Sequence, residues 1–168
     1  HPAGLPQRQT LALRWTGAAM LEAAKGFRRL KAQGDVPEDT RFQVSLPTPV
    51  AFLEHFIARR SQASVEGPYE ARMLAEVAEI AEHVPHGELA IQWNLATELS
   101  IMAGHRAIHF DKVADGILER LVRLCERVPD GVELGLHFCY HDFVHNDFPL
   151  PGDADGLVDL ANGILGSI

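Results

Sequence analysis

Apolar residues recur along this chain in two alternating rhythms. Met20, Ala23, Ala24, Phe27 and Leu30 fall at three- and four-residue steps, as do Met73, Val77, Ile80, Ala81 and Val84. Val113, Ile117, Leu121, Val122, Leu124 and Cys125 make a third such stripe. That spacing gathers apolar side chains on one face of a helix. Each stripe runs into Val-Pro, a polar turn and a short apolar run: "VPEDTRFQVSL" from Val36, "VPHGELAIQWN" from Val84 and "VPDGVELGLHF" from Val128. Proline has no N–H to donate and its ring clashes with the preceding helical turn, so it closes the helix, while acidic residues and glycine suit the turn. The pattern predicts strands near residues 41–46, 88–94 and 132–139, containing "FQVSL", "LAIQW" and "LGLHF". A fourth helix is expected to start near Asp153 or Asp155, whose carboxylates can accept from free N–H groups, and to bury Leu157, Leu160, Ala161 and Ile164.

Strands that alternate with helices of this length form a parallel sheet through crossover connections, which gives an α/β fold. The repeats, spaced roughly 45 residues apart, exceed a minimal strand-helix unit, so an added loop or short helix is expected after each strand. The segments concerned are "PTPVAFLEHFIARR" and "LATELSIMAGHR". Functional sites of such folds lie there. Three strands leave a parallel sheet with open edges and faces. A (β/α)8 barrel of TIM type takes about 250 residues, so the chain, residues 1–168, reads as a single domain forming a portion of one. The remainder of a longer chain, or another copy in a homo-oligomer, would then close the sheet. The start "HPAGLPQRQT", without Met, also suggests a piece of something longer.

Composition narrows the function classes. With 46% hydrophobic residues among 168, the chain can bury a substantial core. Its net charge is -8, and its 15 Lys and Arg are scattered rather than gathered in a stripe, so nucleic acid is not an expected partner. No apolar run reaches the roughly 18 to 20 residues needed to span a bilayer, and no membrane association is expected. Two cysteines, Cys125 and Cys139, are too few for a disulfide framework and fit a cytoplasmic setting.

The densest chemistry lies in "ELGLHFCYHDFVHNDF", residues 133–148. Alternate residues of a strand share a face, so His137 and Cys139 point the same way near a carboxyl end, and His141 would join them if the chain stayed extended. Imidazole and thiolate are good zinc ligands, and a catalytic zinc needs three from the protein. The competing reading makes Cys139 a small buried hydrophobe, His137 a core histidine and the later histidines solvated loop residues. Gln43 and Ser45 share a face of the first strand and could line a barrel mouth beside Gln92, Asn94, His137 and Cys139, or fill a barrel interior. His105 and His109 would share one face if "GHRAIHF" were helical. His55, His83, His86 and Cys125 read as structural or solvent-facing.

Together "RFQVSLPTPVAFL", "ELAIQWNLATEL" and "LGLHFCYHDF" resemble successive strand ends of the cobalamin-independent methionine synthase group, in the superfamily that includes uroporphyrinogen decarboxylase. The resemblance runs from about residue 15 to the end and is greatest with the methionine-synthase-like members. It implies a zinc site with His137 and Cys139 as ligands, followed by Tyr140, in a small-molecule methyltransferase; the donor in the synthases is a folate derivative, and no residue of this sequence selects one. In the synthases the preceding strand carries an acid that binds the substrate's amino group. Asn94 stands at that position, and an amide can hydrogen-bond an amine but cannot neutralise it. The glutamate and second cysteine that complete the family's zinc shell have no counterpart before Ile168.

Three functions follow as expectations. The first is zinc-dependent methyl transfer to a thiol, with His137, Cys139 and His141 at the metal and Gln43, Ser45, Gln92, Asn94 and Tyr140 toward the substrate. The second is a metal-free decarboxylase- or lyase-like barrel, which would need cationic or hydrogen-bonding groups at the mouth. The third is a catalytically incomplete small-molecule-binding domain.

Overall fold

In the computed structural model the described residues are 7–139 and 154–168, with side chains described from residue 18. Tyr140 and His141, and with them the loop histidine His145, lie outside them. The chain alternates as the rhythms predict: α1 (Gln7–Ala32), β1 (Phe42–Pro47), α2 (Pro49–Phe56), α3 (Arg59–His83), β2 (Leu89–Asn94), α4 (Ala96–Met102), α5 (Val113–Cys125), β3 (Glu133–His137) and α6 (Asp155–Leu165). The strands form a parallel sheet in the order β1-β2-β3. The added segments after β1 and β2 are the short helices α2 and α4.

Period-two alternation gives the sheet two unlike faces. Val44, Leu46, Leu89, Ile91 and Trp93 are buried beneath the helices, with Met73, Val77 and Ile80 of α3 and Ile117, Leu121 and Leu124 of α5 in the same core. The opposite face carries Gln43, Ser45 and Pro47, all exposed, then Gln92 and Asn94, half-buried, then exposed His137. Register aligns these in rows: Ser45, Gln92 and Gly135 in one, Pro47, Asn94 and His137 in the next.

The Val-Pro junctions end their helices in distinct ways. After α1, Gly34 at φ 81° lets its N–H reach Lys31 O and that of Asp35 reach Leu30 O, satisfying carbonyls of the last turn. The N–H of Val84 still bonds Ile80 O before Pro85 stops α3. Gly131, at φ 84°, supplies the left-handed residue that turns the chain into β3.

Several expectations need correction. The stripe of α1 is buried only at Ala24, because this helix meets the rest of the fold along a narrow line, and Ala23 and Leu30 are exposed. Helix α3 begins well before its apolar stripe and runs through Pro68. The third strand stops at His137, leaving Cys139 beyond it. "GHRAIHF" is not helical, so His105 and His109 do not share a helix face. His109 instead lies 3.1 Å from Glu66 of α3.

Candidate functional site

At the carboxyl ends of the three strands lies an open cavity of about 730 Å3. Its apolar wall is Pro47 from the end of β1, Ala51, Phe52 and Phe56 from α2, and Ala96 from α4. Its polar groups are Asn94, Thr97 and His55, with His137 and Cys139. A short helix follows each of the first two strands and turns its side chains over the sheet's end. The His-x-Cys pair thus reaches the same space as the polar row.

That row is one continuous hydrogen-bonded ladder. Gln43 Nε2 donates to Ser45 Oγ at 3.1 Å and to Gln92 Oε1 at 3.1 Å. Gln92 Nε2 donates to Ser45 Oγ and to Asn94 Oδ1, each at 3.1 Å. His137 Nδ1 lies 3.3 Å from Asn94 Oδ1. A carbonyl oxygen can only accept, so this contact selects the tautomer that donates from Nδ1, in which a neutral ring keeps its lone pair on Nε2. Asn94 therefore orients the His137 ring, and its own amide nitrogen is left to donate elsewhere. Sequence reasoning put these residues together but did not foresee that Asn94 acts on His137.

The donors match zinc in kind, an exposed imidazole and a half-buried thiol. They would make two of the three protein ligands that a catalytic zinc requires. Among the described residues no group of three His, Cys, Asp or Glu side chains is gathered for a metal. The third expected ligand, His141, and the substrate candidate Tyr140 fall outside them.

No family model, curated protein or solved structure matches this chain. The methionine-synthase-like reading therefore rests on the sequence resemblance alone.

His55, read from the sequence as structural or solvent-facing, lines the cavity. Its Nδ1 lies 2.8 Å from Ala51 O and 3.2 Å from Glu54 Oε2. Glu54 also pairs with Arg106 at 2.7 Å, which ties α2 to the loop after α4. The other two histidines of that group do hold backbone: His83 Nδ1 lies 2.7 Å from Glu79 O and His86 Nδ1 2.8 Å from Asp130 O. Cys125 is buried in the core, and burial, helped by Glu126, pushes its thiol up to about 11.

Behind the cavity wall sits a group that the sequence did not single out. Glu98, in the first turn of α4, is fully buried and bonded to the Thr48 hydroxyl, which also accepts from Ala51 N at 3.1 Å as the N-cap of α2. Its other oxygen, Oε2, is buried without a partner. Burial pushes the Glu98 carboxyl up to about 7, against the opposing pull of Thr48 and its own backbone N–H. An acid in a first helical turn is ordinary in sequence, and nothing local marks this one as buried.

Proposed function

We propose that this chain is a section of a (β/α)8-type barrel whose carboxyl-end cavity binds a small molecule, and that His137 and Cys139 hold a zinc ion there for methyl transfer to a thiol. The observation that carries the reading is the convergence of His137, its orienting partner Asn94 and Cys139 on one cavity at the carboxyl ends of parallel strands. Such sheet ends are where α/β folds keep their sites. Consecutive strands in the order β1-β2-β3 with helices over one face suit a section of a singly wound barrel, whose interior the polar ladder would line. Further strands, from a longer chain or a second copy, would cover that face.

When bound, zinc would lower the pKa of a substrate thiol and hold it as thiolate. This chain's residues would do the rest. Asn94 would orient the ring of His137 so that Nε2 is left for the metal, Cys139 would supply the second donor, and the apolar wall would limit water on one side of the nucleophile. Two free cysteines among the described residues suit a reducing compartment such as the cytoplasm. No helix among the described residues is long and apolar enough to cross a membrane.

A second reading, a metal-free binding site, is favoured by the apolar wall itself, which needs no ion to hold a ligand. A decarboxylase-like site gains less support, since Arg106, beyond the second strand, is engaged by Glu54.

Elemental analysis of tag-free protein separates the first two readings. About one zinc per chain, lost in Cys139→Ser together with thiol methylation, is the expected result. Folded protein that takes up no zinc from an excess would leave only the metal-free reading.

A further inference from the structure

The cavity's volume, about 730 Å3, falls within the range of small-molecule sites. One wall is an aromatic shelf. Phe52 has one face covered by Tyr69, the rings stacked 3.9 Å apart at 6°. Phe56 leans against Phe52 with centroids 5.3 Å apart and is 71% exposed, although Val50 and Leu53 of the same short helix are buried. A large ring held so openly beside a cavity is apolar surface that an occupant would cover.

His55 shares that wall, and the other polar groups, Asn94, Thr97, His137 and Cys139, come from the ends of β2 and β3 and from α4. Asn94 Oδ1 already accepts from Gln92 and from His137, which leaves its amide N–H groups for an acceptor atom on a ligand. Glu54 and Arg106 pair with each other, and neither is among the described residues lining the cavity. A zwitterion seated against Phe52 and Phe56 would strand its ammonium group, because the described lining holds the imidazoles of His55 and His137 but no carboxylate.

We propose that the cavity takes an uncharged molecule with a flat or bulky apolar body packed on Phe52 and Phe56 and one hydrogen-bond acceptor directed at Asn94. The proposal rests on the reading of this cavity as the substrate site. For a thiol acceptor it means an apolar thiol without the amino and carboxylate groups of an amino acid.

Matched probes test it by calorimetry on the full chain: 3-phenylpropan-1-ol, phenylalanine and 3-phenylpropane-1-thiol, each with and without added zinc. The alcohol is expected to bind at least roughly tenfold more tightly than phenylalanine, whose apolar body is similar but whose charges would be stranded. Phe56→Ala should weaken the alcohol by roughly five- to tenfold while melting as the parent does, since the ring is exposed. Tighter binding of phenylalanine, with the same dependence on Phe56, would overturn the ligand class and leave the cavity as the site. Folded protein that binds no probe, or binds the alcohol equally after Phe56→Ala, would overturn both. A zinc-dependent preference for the thiol would support the ligand class and the metal together. Equal binding of alcohol and thiol with zinc present would still support the ligand class while removing the metal.

Discussion

Two buried or half-buried glutamates tie this protein's stability to pH in opposite directions. The Glu98 carboxyl, raised from 4.5 to about 7, binds its proton more tightly in the folded chain than in the unfolded one. Stability is therefore lost as pH rises from 4.5 to 7 and stays lowered above that, by about 3 kcal/mol from the size of the shift. Glu66 behaves conversely. Burial would raise its pKa, but hydrogen bonds and charge from Arg120, with His109 and Arg123, hold it below 4.5. Its contribution is present above 4.5 and lost as pH falls through the folded value. Glu98→Gln keeps the side chain's size without the charge, so it is expected to be more stable than the parent at pH 8, by roughly 2 kcal/mol, and nearly equal at pH 4.5. Urea unfolding at the two pH values checks this. Parallel pH dependences in parent and variant would remove Glu98 from the account.

At the scale of elements, α2 is too short to hold itself together and is pinned at both ends. Thr48 caps its start and joins it to α4 through Glu98. At its end Gln62 of α3, 2% exposed, donates from Nε2 to Leu53 O and Ile57 O, each at 3.0 Å. Since α2 carries Phe52, His55 and Phe56, these pins also shape the cavity. Thr48→Ala removes a cap worth about 1 kcal/mol and leaves Glu98 without its hydroxyl donor, for an expected loss of about 2–3 kcal/mol in chemical denaturation. Thr48→Ser, which keeps the hydroxyl, should lose less than half of that. Equal losses for the two would show that the methyl group, not the hydroxyl, matters. Opposite α2, α5 is clamped to α3 by a guanidinium on each of Glu66 and Glu70: Arg120 on the first, and Arg123 on the second at 2.6 and 2.8 Å. Arg120 also lies 3.8 Å from the Phe110 ring centre.

Over the whole molecule the sheet's two ends do different work. At the amino ends Arg41, just before β1, donates to His86 O at 3.1 Å and to Gly131 O at 3.5 Å and pairs with Glu133 at 2.9 Å. One planar side chain thus joins the starts of all three strands. The carboxyl ends carry the cavity. Arg41→Ala is expected to lower stability by about 1–2 kcal/mol, with little rescue by Arg41→Lys because a lysine lacks the fork. The affinity for 3-phenylpropan-1-ol should be unchanged. Phe56→Ala should show the reverse, so melting and calorimetry on the two variants test whether the ends are separable.

Much of this arrangement is local and therefore legible in the chain. Period-two and period-3.6 patterns place the strands, the buried faces of α3 and α5 and the shared face of Gln43 and Ser45, because those depend on neighbours in sequence. Val-Pro turns mark ends for the same reason, whereas the last helix starts behind Ala154 with no side-chain cap from an aspartate among the described residues. What the sequence could not supply is which distant residues meet. His55 looks like a surface histidine until α2 folds over the strand ends, and Glu98 like a solvated first-turn acid until α4 packs beside Thr48. His109 looks like half of a helical pair until its loop meets Glu66. Asn94 looks like a weakened substrate acid until β3 pairs beside it and brings His137 within 3.3 Å. Periodicity encodes which face of an element is apolar. Only the register of the sheet and the packing of the helices, which join residues some 40 to 50 positions apart, determine what each polar side chain touches and hence its charge and its role.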